Sequence, residues 1–159
     1  NMNAAPRCRG PCSIGPGRKG GRCMKPYIEE AWRMLKLAGR DARAFEVLAE
    51  SGDVHNSIVC FHAQQAIEKS MKAVLFSLCI EFRRTHSLTD LSTLLRENAY
   101  VIPLTDDRLI RLNPFAVTFR YDDMVIPILD TKEVHVWVSE MMKWSESIIR
   151  DAEDTNDTQ

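Results

Sequence analysis

One stretch, Asn56 to Ile80, constrains this chain more than any other: NSIVCFHAQQAIEKSMKAVLFSLCI. It holds no Gly and no Pro, so nothing in it breaks a helix. Val59, Ala63, Ala66, Ile67, Met71, Val74, Leu75 and Leu78 recur at helical spacing and fall close to one face. A second, polar line runs through Phe61, Gln65, Glu68 and Lys72, at offsets of four, three and four. Glu68 precedes Lys72 by four, the favourable order for a helical ion pair. A helix that is apolar nearly all round, with one narrow polar seam, belongs at the centre of a bundle. Its seam must find partners inside the fold or at an interface.

The remaining segments supply helices to pack around it. Residues 27 to 51 carry Ala31, Met34, Leu35, Ala38, Ala42, Phe45, Leu48 and Ala49 at spacings of three and four. Gly39 weakens that helix without breaking it. Gly52 is the expected residue just past its end, and Asp53 the expected cap of the central helix. Ser87-Leu88-Thr89-Asp90 reads as a capping box that opens a third helix ending near Asn98. A fourth segment starts at Asp106 or Asp107 and is divided or kinked by Pro114. Met124 to Leu129 contains Pro127 and reads as an extended loop. A last helix starts at Thr131 and carries Val134, Val138, Met141, Met142, Ser145, Ile148 and Ile149. The expected fold is all-α, an up-and-down bundle of four to five antiparallel helices over residues 27–150. Residues 151–159 read as a frayed, disordered acidic tail, and residues 1–26 as a disordered basic extension. Met24 is the expected natural start, with the segment before it a mis-called start or a tag.

Charge is divided along the chain. Residues 1–26 hold six basic and no acidic side chains, leaving 15 basic against 22 acidic, a net charge of −7, in the remainder. An acidic body is not the footprint of a protein that coats nucleic acid, although a local basic patch fits within it. No apolar run is long enough to span a membrane. Two of the five Cys, Cys60 and Cys79, lie in the apolar central stretch, which suits reduced, packed thiols and a cytoplasmic protein. Cys8, Cys12 and Cys23 have no neighbouring His, and the four His (55, 62, 86 and 135) form no i, i+4 pair, so no metal site or cofactor is expected. P-loop, dinucleotide-fingerprint, H-E-x-x-H, CxxC and nucleophile-elbow motifs are all missing.

Candidate chemistry is confined to a few residues. His86 follows Arg83 and Arg84 and precedes a helix N-terminus, surroundings that suit an anion such as phosphate. A purely structural hydrogen bond from the loop to the bundle explains it equally well. His62, Gln64, Gln65, Glu68, Lys69 and Lys72 form either a binding seam or an internal polar network, and a dimer interface would supply partners for it. Arg120-Tyr121-Asp122-Asp123 combines a fork donor, a phenol and two carboxylates. Arg120 either clamps a phosphate or pairs with Asp122 or Glu68.

Three motifs together, H-A-Q-Q-A-I-E-K-S-M-K-A-V-L at 62–75, T-H-S-L at 85–88 and R-Y-D-D at 120–123, resemble the HEPN domain family. Trp32, Ala38 and Asp41 fit the family's W…A…D pattern in the first helix. The resemblance covers roughly residues 27 to 150. It implies a helical bundle, usually a homodimer, often encoded beside a minimal nucleotidyltransferase and complexed with it as a toxin–antitoxin pair. Many members resembling it are metal-independent ribonucleases whose signature is an Arg followed, after four to six residues, by His. Here Arg83 and Arg84 are separated from His86 by two residues and one residue, and Arg120 precedes His135 by fifteen. The ribonuclease spacing is therefore missing, as is the related motif with a modifiable Tyr. What the resemblance implies for this chain is a non-catalytic, dimeric binding module for a nucleotidyltransferase, with a nucleotide or other phosphorylated ligand near Lys72, Arg83, Arg84, His86, Arg120 and Tyr121. Two alternatives stand beside it. One is a divergent ribonuclease using His86 and Arg120; the other is a structural dimerisation domain whose seam (His62, Gln65, Glu68, Lys69) is only an interface.

Overall fold

The apolar wrap of the central stretch places its helix, α2 (Asn56–Ser77), in the middle of the molecule. The computed structural model describes the backbone of residues 21–120 and 126–157 and the side chains of 25–117 and 126–156. Around α2 lie α1 (Gly21–Ser51), α3 (Leu88–Glu97), α4 (Asp106–Leu112) and α5 (Thr131–Asp157), with a 3-10 segment, Asn113–Arg120, continuing α4. The described residues contain no strand, so the all-α bundle expected from periodicity is the architecture found. No described helix is long and apolar enough to cross a membrane.

Packing follows from side-chain size. Ala31 and Ala38 of α1 and Ala63, Ala66 and Ala73 of α2 are wholly buried, and such small side chains let the two axes approach closely. Ile67, Met71 and Leu75 of α2 then fill the space towards Phe115 and the α5 residues Val134, Trp137 and Met141. Asp41 meets His62 and Lys69, while Ala31 and Leu35 cluster with Ala73, so α1 and α2 run antiparallel. At the start of α5, Leu129 meets Asn56; further on, Ser145 Oγ donates to the Ser70 carbonyl (3.2 Å). α5 therefore runs in the direction of α2 and antiparallel to α1. Arg108 and Arg111 lie over the buried Trp137 ring at 5.6 and 5.3 Å, and pair with Glu140 and Glu133, which fastens α4 to α5.

Helix ends depart from expectation in instructive ways. Gly52 does take the left-handed conformation past α1 (φ 71°). The cap of α2, however, is His55 and not Asp53: α2 starts at Asn56, and the His55 ring nitrogen Nδ1 accepts from the Ser57 amide at 3.3 Å. α2 and α3 both end in Schellman turns built on residues other than glycine. Cys79 (φ 54°) follows α2, with Ile80 N–H on Leu75 O at 2.9 Å; Ala99 (φ 67°) follows α3, with Tyr100 N–H on Leu95 O at 3.0 Å. The division at Pro114 is present as the change from α4 to the 3-10 segment.

Two boundaries shift. α1 begins at Gly21 and contains Pro26, so residues 21–26 of the expected disordered extension are helical; Pro26 removes one rung of the ladder. Residues 1–20 lie outside the described residues. At the other end, α5 continues to Asp157 where a frayed tail was expected after residue 150. The Trp32 indole donates to Glu153 at 3.0 Å, and Thr155 and Asn156 side chains satisfy carbonyls four residues back, which holds those turns. In the expected loop after the 3-10 segment, Asn56 grips Leu129 with both ends of its amide, donating to the carbonyl (2.9 Å) and accepting from the N–H (3.1 Å).

Candidate functional site

Glu68 is the hub. It sits on the buried side of α2, 3 % exposed, and three side chains converge on its carboxylate. Lys72 Nζ donates to one oxygen at 2.7 Å, and Gln64 Nε2 to the other at 3.0 Å. Gln64, Glu68 and Lys72 are spaced by four, so the helix itself lines them up. The third partner arrives through the chain reversal at Cys79, which sends the connector back along α2. His86 Nδ1 then lies 3.1 and 3.3 Å from the two oxygens of Glu68. Gln64 Nε2 also donates to the His86 carbonyl at 3.1 Å, so one buried amide pins the connector and the carboxylate together.

The seam continues away from Glu68. Gln65 Nε2 donates to Gln64 Oε1 (2.8 Å), Lys69 donates to Gln65 Oε1 (3.3 Å), and Lys69 also pairs with Asp41 of α1. His62 Nδ1 lies 3.1 Å from the second oxygen of Asp41. One line of polar contacts thus runs from His62 through Asp41, Lys69, Gln65, Gln64 and Glu68 to Lys72 and His86. It leaves no described buried side-chain polar atom without a partner, as buried polar groups require. The seam expected from sequence is satisfied within the chain, chiefly by Asp41 and by the His86 connector.

Buried carboxylate and exposed ring have different tasks. A carboxylate only accepts, so the proton between the two groups is on His86 Nδ1, and Nε2 is left as the ring's other functional nitrogen. The His86 side chain is 62 % exposed. Arg83 and Arg84 are exposed on the same connector, and among the described residues neither has an ion-pair partner. The exposed amides expected to favour an anion at the α3 N-terminus are largely engaged within the chain. Leu88 N–H donates to Asn113 Oδ1 (2.7 Å), Asp90 N–H to Ser87 Oγ (3.2 Å) and Ser87 N–H to Thr85 Oγ1 (3.0 Å). Those donors are engaged within the chain, so the cations, not these amides, are what the connector offers an anion. Half of the expected capping box forms: Thr85 takes the place of Asp90 on the Ser87 amide. The Arg120 side chain and Tyr121 lie outside the described residues.

Compared with known protein families, residues 31–154 match the HEPN domain. The chain belongs to the HEPN domain family. No curated protein and no solved structure matches it. In this HEPN domain the residues that carried the sequence resemblance are the ones that touch. Gln64, Gln65, Glu68, Lys69 and Lys72 of the central motif meet His86 of the T-H-S-L motif and Asp41 of the first helix. Asn113 has no signal of its own in the sequence, and Asp41 has only its place in the W…A…D pattern, which does not name its partner. Asn113 reaches α3 across 25 positions, and Asp41 reaches Lys69 across 28, distances at which no local period operates. A question could have found Asp41: which acid on α1 neutralises a lysine facing inward from α2?

Cys60, one turn above the α2 cap, is wholly buried, and burial pushes its thiol up to about 11. It is a packing residue. Among the described residues no three His, Cys, Asp or Glu side chains are grouped as a metal ion needs.

Proposed function

We propose that this HEPN domain is a dimeric, non-catalytic binding module that engages a nucleotidyltransferase and presents the phosphate of a nucleotide at the α2–α3 connector. The observation that carries this reading is the anchoring of His86. Glu68 and Gln64 fix the ring and backbone of one exposed residue, beside two exposed arginines, on a protein whose body is otherwise acidic. Local cations on an acidic body favour a small or partly screened anion over a long polyanion. A nucleotide phosphate meets that description. Lys72 is close by, but its charge is already balanced by Glu68, so Arg83, Arg84 and His86 are left to meet the ligand.

The test is nucleotide binding by calorimetry, alongside multi-angle light scattering for the dimer and co-purification with a nucleotidyltransferase encoded next to the gene. Arg83→Ala with Arg84→Ala is expected to weaken phosphate-dependent binding by about tenfold or more at low salt. A strict monomer that takes neither nucleotide nor nucleotidyltransferase would sink the proposal.

A second reading rests on the same pair. A histidine oriented through Nδ1 by a carboxylate, with Nε2 available, has the arrangement a general base needs, so a divergent ribonuclease remains the competing function. Incubation of a mixed RNA pool in EDTA decides between them. Cleavage lost in His86→Ala would establish the nuclease, and intact RNA would leave the binding module.

A further inference from the structure

A second feature adjoins the cationic connector. Between the first turns of α1 and the reversal at the end of α2 lies an open groove of about 600 Å³, within the usual range for a small-molecule site. Its apolar lining comes from three elements: Tyr27 and Met34 of α1, Phe76 of α2, and Ile80 and Phe82 of the connector. Phe76 and Phe82 meet edge to face, with centroids 5.3 Å apart, and Tyr27 is one of the few large exposed aromatics. Aromatic walls of this kind favour a flat ring system.

The groove also has two distinct ends. Lys72 and Arg84 line it, and both belong to the His86 side: Lys72 is ion-paired to Glu68, and Arg84 is two residues from His86. Glu81 lines it as well, next to the Cys79 reversal at the other end of α2. From Lys72 to Cys79 the helix rises about 10 Å. The Arg84 cation at one end, aromatic walls between and a carboxylate acceptor at the other describe the ligand in order: anion, flat ring, hydrogen-bond donor. We infer that the groove holds the base of a purine mononucleotide bearing an exocyclic amine, with its phosphate towards Arg84 and His86 and its amine towards Glu81. This placement rests on the anion-binding reading above and adds where the rest of the ligand goes and why an amino-purine is preferred.

Calorimetry on the full chain with AMP, IMP, adenosine, ribose 5-phosphate and decanoate separates the possibilities. The expected result is AMP bound about tenfold more tightly than ribose 5-phosphate, an advantage removed by Phe82→Ala while ribose 5-phosphate is unaffected. Equal binding of AMP and ribose 5-phosphate, unchanged by Phe82→Ala, would overturn the groove and leave the anion site intact. Adenosine binding that is lost in Phe82→Ala, with no binding of ribose 5-phosphate, would keep the groove and remove the anion site. No binding of AMP, adenosine or ribose 5-phosphate would end both, and displacement of AMP by decanoate would replace the purine by an acyl chain. Phe82 is half-buried, so a thermal melt accompanies the variant. Should it fail to fold, Glu81→Ala, an exposed change, decides. Loss of the preference for AMP over IMP supports the placement, and an unchanged preference overturns it.

Discussion

Replacing Glu68 by Ala removes the acceptor on which three donors converge, and the structure sets the size of the loss. Lys72 is the main term. Its side chain is only 13 % exposed, so without Glu68 it becomes a nearly buried cation with no counter-charge. Breaking a buried pair in this way costs about 3–5 kcal/mol, and the residual exposure of Lys72 argues for the lower end, about 3 kcal/mol. Gln64 loses one of two acceptors but keeps the His86 carbonyl, which adds about 1 kcal/mol. His86 is largely exposed and can turn to water, so it contributes little. The expected total is about 4 kcal/mol, a fall in melting temperature of about 10 °C for a chain of this length. Urea unfolding measures it directly. Glu68→Leu combined with Lys72→Met removes both charges in similar volume and should recover most of the loss, because an apolar pair in place of a buried ion pair is often neutral. A Glu68→Ala variant within about 1 kcal/mol of the parent would show that the carboxylate does not organise the seam, and the account of the site would fall with it.

Three further outcomes follow from other parts of the fold. Ala99→Gly relieves a left-handed residue at the α3 terminus and should stabilise by about 1 kcal/mol, whereas Ala99→Val should destabilise; thermal melts distinguish them. Asn56→Ala strands the Leu129 N–H and carbonyl, with an expected cost of about 2 kcal/mol and faster amide exchange at Leu129. The buried Cys60 thiol, pushed up to about 11 from 9.0, stays protonated as the pH rises past its unfolded value. Its contribution to stability is therefore complete below about pH 9 and is lost between there and about pH 11. Peptide-mapped alkylation in the native state should leave Cys60 unmodified at pH 8 until the protein unfolds.

What the sequence makes legible here is what repeats locally. The Glu68–Lys72 pair and the buried face of α2 follow from spacings of three and four, and both are present. The capping Ser87 and the break at Pro114 follow from the chemistry of single residues within one turn. The cap of α2 is not legible because Asp53 is the better capping residue by type, and only the path of the turn after Gly52 puts His55 at that position. The partners of the seam were open for a different reason. Whether Gln65 and Lys69 face an interface or the fold depends on where Asp41 falls after a helix of 31 residues, and that register is a property of packing, not of either helix alone. The two unglycined Schellman turns gave no warning either: neither Cys nor Ala marks a left-handed position by itself.

The line from Lys69 to Glu68 has a polarity that its chemistry enforces. An ammonium can only give protons and a carboxylate can only take them. Between these ends, Gln65 and Gln64 must each present oxygen towards the lysine and nitrogen towards the glutamate, as they do. Neither amide can turn over alone, since a reversed one would set donor against donor on one side and acceptor against acceptor on the other. The two glutamines are therefore a single switchless link, aligned head to tail between fixed charges, and each bond polarises the next. Lys69→Met, at the far end from His86, would remove a donor without reversing the line, because Gln64 Nε2 is still held between two acceptors, Glu68 and the His86 carbonyl. Asp41 of α1 closes the far end by holding Lys69, while the sense of the line is set at the end where His86 is anchored.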